Sequence, residues 1–234
     1  MSEIEKKIKK IKKIPGVINW ARQNYKRTDD TQKKLQNLVS NPIGISLQPI
    51  YGLCKKLAYR DMAFEEAYEK VSGYRGSLGS SGTSILRAFH DYIEQSQIEA
   101  VKEFDGFSMP YPIARDVDGE PLAIPVKPHF VTIREGKLRP TFIIGWADRP
   151  LNAYQIRLLS TIISNSLLTQ QDFIGSDADI VAFPKMKWSS ARECNQWPVS
   201  RFANLSNEEL ADQFERYSRA LRNVIATLRE SEIP

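Results

Sequence analysis

The chain has 234 residues, 41% of them hydrophobic and 26% charged, with a net charge of +5. That profile excludes a disordered chain, and no apolar run nears the roughly 20 residues that a membrane-spanning helix needs. The positive charge is local: residues 1–27 hold nine Lys or Arg and two Glu, whereas the rest of the chain carries 24 basic and 26 acidic residues. Two cysteines, Cys54 and Cys194, lie far apart. They read as free thiols of a cytoplasmic protein, and the N-terminus lacks the apolar core of a secretory signal.

Residues 2–14 read as a short amphipathic helix, with Ile4, Ile8 and Ile11 at helical spacing and lysines over the remaining surface. Pro15-Gly16 stops it. The lysines are expected to be solvated; an anionic membrane surface or nucleic-acid phosphates are the other uses of such an arm. Helices are predicted over residues 17–25, 31–39, 46–59 and 62–71, with a break at Asn41-Pro42 and Gly44 and Asp61 as a cap. Together these form a helical region, 1–71, with a basic arm. Residues 72–84 carry Gly73, Gly76, Gly79 and Gly82 among serines and read as a linker or loop. The other use of that stretch is an anion cradle at a helix start opened by Gly82-Thr83-Ser84, although it lacks the Gly-Lys-Ser/Thr of a phosphate loop.

An α+β domain over 85–234 follows. Residues 85–104 are predicted to be helical, with His90 beside the apolar stripe as a structural histidine. Short strands are expected at 113–117 and 122–126. The best-defined element is a hairpin of two runs, 129–134 and 138–146, around Glu135-Gly136. Both runs are rich in the branched and aromatic residues that suit a pleated surface. Centring the turn on Glu135 and Gly136 sets Ile133 against Leu138 and Val131 against Pro140 on an apolar face. Arg134 then opposes Lys137, and Thr132 opposes Arg139, on a polar one. A one-residue slip would put Ile133 against Arg139. Pro140 cannot donate to a ladder, so its strand must be an edge or bulge there.

Asn152 and Gln155 are spaced as a capping box for a helix reaching about residue 168, and Ser206 and Glu209 as another for the last helix. Residues 178–183 read as a buried strand. Residues 184–205 have little regular pattern but interleave Lys185, Lys187, Arg192 and Arg201 with Trp188 and Trp197. The whole is α+β: N-terminal helices, then a small, mostly antiparallel sheet built on the hairpin and covered by helices.

Over residues 85–183, the order helix, three extended runs, helix, strand is similar to the core of the PD-(D/E)XK nuclease family. The resemblance implies a divalent metal such as Mg held between strand carboxylates, with a lysine positioning the attacking water. The residues that would stand in are Asp116 or Asp118 with Glu135 and Lys137. The departure is that Glu135-Gly136-Lys137 falls at a turn, where the family has the motif inside a strand.

The residues themselves favour a non-catalytic module binding nucleic acid or an acidic protein, without a cofactor. Arg134, Lys137 and Arg139 share one hairpin face, and like charges opposed across strands call for an anion to relieve them. Lys185, Lys187 and Arg192 around Trp188 add the mixture that stacks on bases and neutralises phosphates. A third reading is an assembly subunit that docks through its N-terminal helices.

Overall fold

The computed structural model describes residues 1–40, 46–115, 118–146 and 151–231. The expected break at Asn41-Pro42 and Gly44 lies outside them. Within them, α1 (Glu3–Lys12), α2 (Val17–Gln23) and α3 (Thr28–Ser40) precede α4 (Gln48–Ala58), α5 (Phe64–Ser72) and α6 (Ser77–Gln95). Strands β1 (Glu99–Ala100), β2 (Met109–Arg115), β3 (Pro121–Val126), β4 (Phe130–Arg134) and β5 (Lys137–Ile144) lead to α7 (Ala153–Ser166). Strands β6 (Asp179–Ala182) and β7 (Asn195–Pro198) and the long α8 (Asn207–Glu230) complete the chain. The fold is α+β, and among the described residues no helix is long and apolar enough to cross a membrane.

The hairpin forms in the expected register: Arg134 pairs with Lys137, Ile133 with Leu138, Thr132 with Arg139 and Val131 with Pro140. Its two turn residues, Glu135 and Gly136, both have positive φ, as a hairpin turn matched to the strand twist requires. Pro140 faces no second neighbour, because the β5–β6 ladder begins only at Thr141 opposite Asp179. The strand is therefore an edge from Lys137 to Pro140 and an interior strand from Thr141 on.

The hairpin is the centre of a five-stranded sheet of order β1-β4-β5-β6-β7, antiparallel except for the β5–β6 pair. Helix α7 connects those two parallel strands. Strands β2 and β3 form a separate two-stranded sheet. Alternate residues of the main sheet enter two cores. Val131, Phe142, Ile144, Ile180 and Ala182 pack with α2, α3, α7, α8 and the small sheet. Phe130, Ile143, Val181 and Phe183 pack with α4, α5 and α6. The hairpin is thus polar on one face only at its tip. Farther along that face, Phe130 and Thr141 are buried. Helix α8 lies chiefly against α3, α1 and β2 rather than across the hairpin.

The Gly/Ser-rich stretch expected as a linker is helical from Ser77 onward, and Gly82-Thr83-Ser84 lies inside α6 instead of opening a helix. Its composition serves close packing. A Cβ on Gly79 would stand 2.3 Å from the Tyr74 carbonyl oxygen, and one on Gly82 would stand 2.5 Å from Ile50 and 2.6 Å from Val71. Helix α6 then ends at Gln95, short of the expected 104, and the chain turns into edge strand β1. The basic arm forms its helix, with Ser2 and Glu5 closing a capping box. Ile11 is buried and Ile8 packs on the same core, so most of the isoleucine stripe is used within the chain.

Candidate functional site

The proposed binding residues fall at two places, at opposite ends of β6. The hairpin tip lies at its N-terminal end. There Arg139 donates to Asp179 at 3.1 Å and stands 3.6 Å from Asp177, while Arg134 stands 3.7 Å from Asp179. Lys137 donates from Nζ to the Gly175 carbonyl at 2.8 Å. Internal carboxylates thus relieve Arg139 and only in part Arg134, and Lys137 meets a carbonyl rather than an anion. The Asp179 side chain is only 3% exposed. Burial pushes its carboxyl above the usual range, against the opposing pull of Arg139 and Arg134.

The second group lies beyond the C-terminal end of β6, in a stretch expected to be irregular. It is a small hairpin. Met186 N–H donates to the Ala191 carbonyl at 2.9 Å, Glu193 N–H to the Pro184 carbonyl at 3.1 Å, and Lys185 bridges Arg192. Residues 186–189 make its turn, with Ser189 N–H donating to the Met186 carbonyl. Trp188 holds the third turn position at φ +66°, where Gly or Asn is normal. It is 95% exposed, and Met186 beside it is also exposed. Lys187 Nζ lies 5.8 Å from the Trp188 ring centroid. A bulky side chain in the left-handed region costs on the order of 1 kcal/mol or more, and such strain clusters at functional positions. Burial gives no return here, because the ring touches no core.

Arg192, expected to bind a ligand, is a clamp. Its Nη1 donates to the carbonyls of Gly145 (3.0 Å) and Phe183 (2.6 Å), and its Nε to Ser84 Oγ (2.8 Å). Gly145 N–H in turn donates to the Tyr51 hydroxyl at 2.9 Å. One guanidinium thus joins the ends of β5 and β6 to α6 and fixes the base of the small hairpin. Trp197 is half-buried on the core, so only one of the two tryptophans in the 184–205 stretch is presented outward.

The basic arm joins neither group. Helix α1 lies on α3 and α8. Its Lys12 pairs with Asp118, Lys10 donates to the Leu38 carbonyl at 3.0 Å, and Lys7 pairs with Glu3 at 2.7 Å. Of the nuclease-like set, Asp116 lies outside the described residues. Asp118, in the connection between β2 and β3, meets Lys12 of α1 and stands 3.9 Å from Arg229 of α8. Glu135 sits on the tip of the other sheet's hairpin, so the fold gives the two carboxylates different neighbours. Among the described residues there is no group of three or more His, Cys, Asp or Glu side chains that could hold a metal ion.

Compared with protein-family models, curated proteins and solved structures, the chain matches none of them.

Proposed function

We propose that the protein is a non-catalytic cytoplasmic module that binds nucleic acid through the hairpin at residues 184–193. The carrying observation is Trp188, almost wholly exposed and held in a left-handed turn next to Lys187, with Lys185 one step behind. An aromatic face offered to solvent beside cations suits an unpaired base stacked on the ring, with its phosphates at the lysines. The Arg192 clamp supports this reading, because stacking is tighter when the platform is fixed before the ligand arrives. An acidic protein would satisfy the lysines but would leave the ring without a matching face, so nucleic acid is the preferred partner.

The test is single-stranded oligonucleotide binding by fluorescence anisotropy across a salt series. Affinity should fall steeply as salt rises. Trp188→Gly should weaken binding by about tenfold or more, in line with the roughly 1–3 kcal/mol of one base–aromatic stack. It should not lower stability, because glycine relieves the turn and no core contact is lost. An unchanged affinity in Trp188→Gly, or no binding at low salt, would remove the reading.

A further inference from the structure

We propose that the cleft between the β4–β5 turn and the turn at residues 175–177 binds a single phosphoryl group. This site is independent of the Trp188 hairpin and lies at the other end of β6. The cleft encloses about 380 Å³. Arg134, Lys137 and Arg139 line one side; Ser164 of α7, Ser176 and Ser200 line the other.

Two carboxylates in and behind the cleft, Asp177 and Asp179, are already engaged. Asp177 accepts from Ala178 N–H (2.7 Å), Ser200 N–H (3.2 Å) and Ser200 Oγ (2.5 Å). Asp179 is buried behind Arg139 and accepts from it. The donors are in surplus. Lys137 spends one of its three N–H groups, on Gly175. Arg134 makes its charge contact with Asp179 at 3.7 Å, beyond hydrogen-bond range, and donates to no described residue. The Arg139 Nε–H also lacks an acceptor but is closed to solvent, so a ligand in the cleft does not reach it. Arg134, Lys137 and the Ser164 and Ser176 hydroxyls, in a cleft where Asp177 and Asp179 are used up, suit a ligand that only accepts. A phosphoryl group is such a ligand, with several oxygens at fixed angles for a guanidinium fork and an ammonium. Glu135 on the rim is the one carboxylate of the cleft with no donor of its own among the described residues. It opposes a dianion and limits the affinity.

The same group could arrive on the end of an oligonucleotide or on a small metabolite, and the experiment separates the two. Calorimetric titration of the full chain with inorganic phosphate, at ionic strength matched with chloride, should show one saturable site. The double variant Arg134→Gln/Lys137→Gln, changed only at exposed or rim positions, should bind phosphate at least about tenfold more weakly, and Glu135→Gln should bind it more tightly. Trp188→Gly should bind it as the parent does, whatever becomes of oligonucleotide binding, so this site and the proposed function fail separately. Preference for a 5′-phosphorylated over a 5′-hydroxyl oligonucleotide, lost in the double variant, would assign the group to a nucleic-acid end. Phosphate binding without that preference would assign it to a small phosphorylated molecule. No heat beyond the chloride control, or equal affinity in the double variant, would overturn the site.

Discussion

His129 shows how a single side chain can carry a pH dependence without any catalytic role. It is part-buried beside Tyr51, edge to face with ring centroids 4.8 Å apart, and its Nδ1 accepts the Ile143 N–H at 2.9 Å. The ring is therefore needed in its neutral form. Desolvation, helped by the nearby Lys127 charge, pushes its pKa down to about 4 from the ordinary value of about 6.5. Because the folded value lies below the unfolded one, the neutral ring's contribution is fully present above about pH 6.5. It drains as the pH falls and is gone below about pH 4, a change on the order of 3 kcal/mol. Urea midpoints measured from pH 7 to pH 4 should show that loss in the parent chain. His129→Gln keeps an acceptor but does not titrate, so the slope in this window should be shallower. Equal slopes would mean that His129 is not held neutral.

At the scale of elements, glycines of the same residue type do opposite things in neighbouring helices. Gly52 of α4 has nothing within 4 Å of where its Cβ would stand, whereas a Cβ on Gly79 of α6 would collide with the Tyr74 backbone. Gly52→Ala should therefore stabilise the chain by about 0.5–1 kcal/mol, the ordinary helix propensity gain. Gly79→Ala should destabilise it by about 1–3 kcal/mol, because a backbone atom cannot move aside as a side-chain end can. Denaturant titration of both variants checks the pair, and a stabilised Gly79→Ala would contradict the close approach of α6 to the Tyr74 backbone. This contrast also explains why residues 72–84 read as a linker. Composition reports that the residues are small, and only the neighbours report that smallness is needed for two helices to approach.

Across the whole molecule, a buried polar chain ties together segments that are distant in sequence. Gln155 Nε2 donates to the Arg22 carbonyl (3.0 Å) and the Asn24 carbonyl (3.1 Å), and Gln213 Nε2 donates to Asn24 Oδ1 (2.7 Å). The Tyr154 hydroxyl donates to Gln213 Oε1 at 2.6 Å. The junction of α2 and α3, the start of α7 and the first third of α8 thus share one network inside the larger core. Gln213→Leu keeps the volume but strands the Asn24 oxygen and takes away the acceptor of the Tyr154 O–H, which keeps only the Arg216 N–H it accepts at 3.1 Å. It should cost about 2–4 kcal/mol, since unsatisfied buried groups cost more than the bond they lost. A drop in denaturation midpoint with an unchanged far-ultraviolet spectrum is the expected result. A loss under 1 kcal/mol would mean that water replaces the glutamine.

The sequence by itself determined the local elements and their chemistry. Helix starts at Asn152 and Ser206, the hairpin register around Glu135-Gly136 and the constraint at Pro140 rest on contacts between near neighbours, which spacing and residue type encode. Trp188 was legible as a candidate for the same reason, since an aromatic among lysines stands out in any window. Only the tertiary structure decided which of these features are free to act. It turned Arg192 into a clamp, Trp197 into a core contact and Asp177 with Asp179 into the internal partners of the hairpin cations. It also set α1, the hairpin tip and the Trp188 turn on separate parts of the fold. Burial and pairing depend on residues tens to hundreds of positions away, and no local pattern records which distant carboxylate or carbonyl a cation will meet.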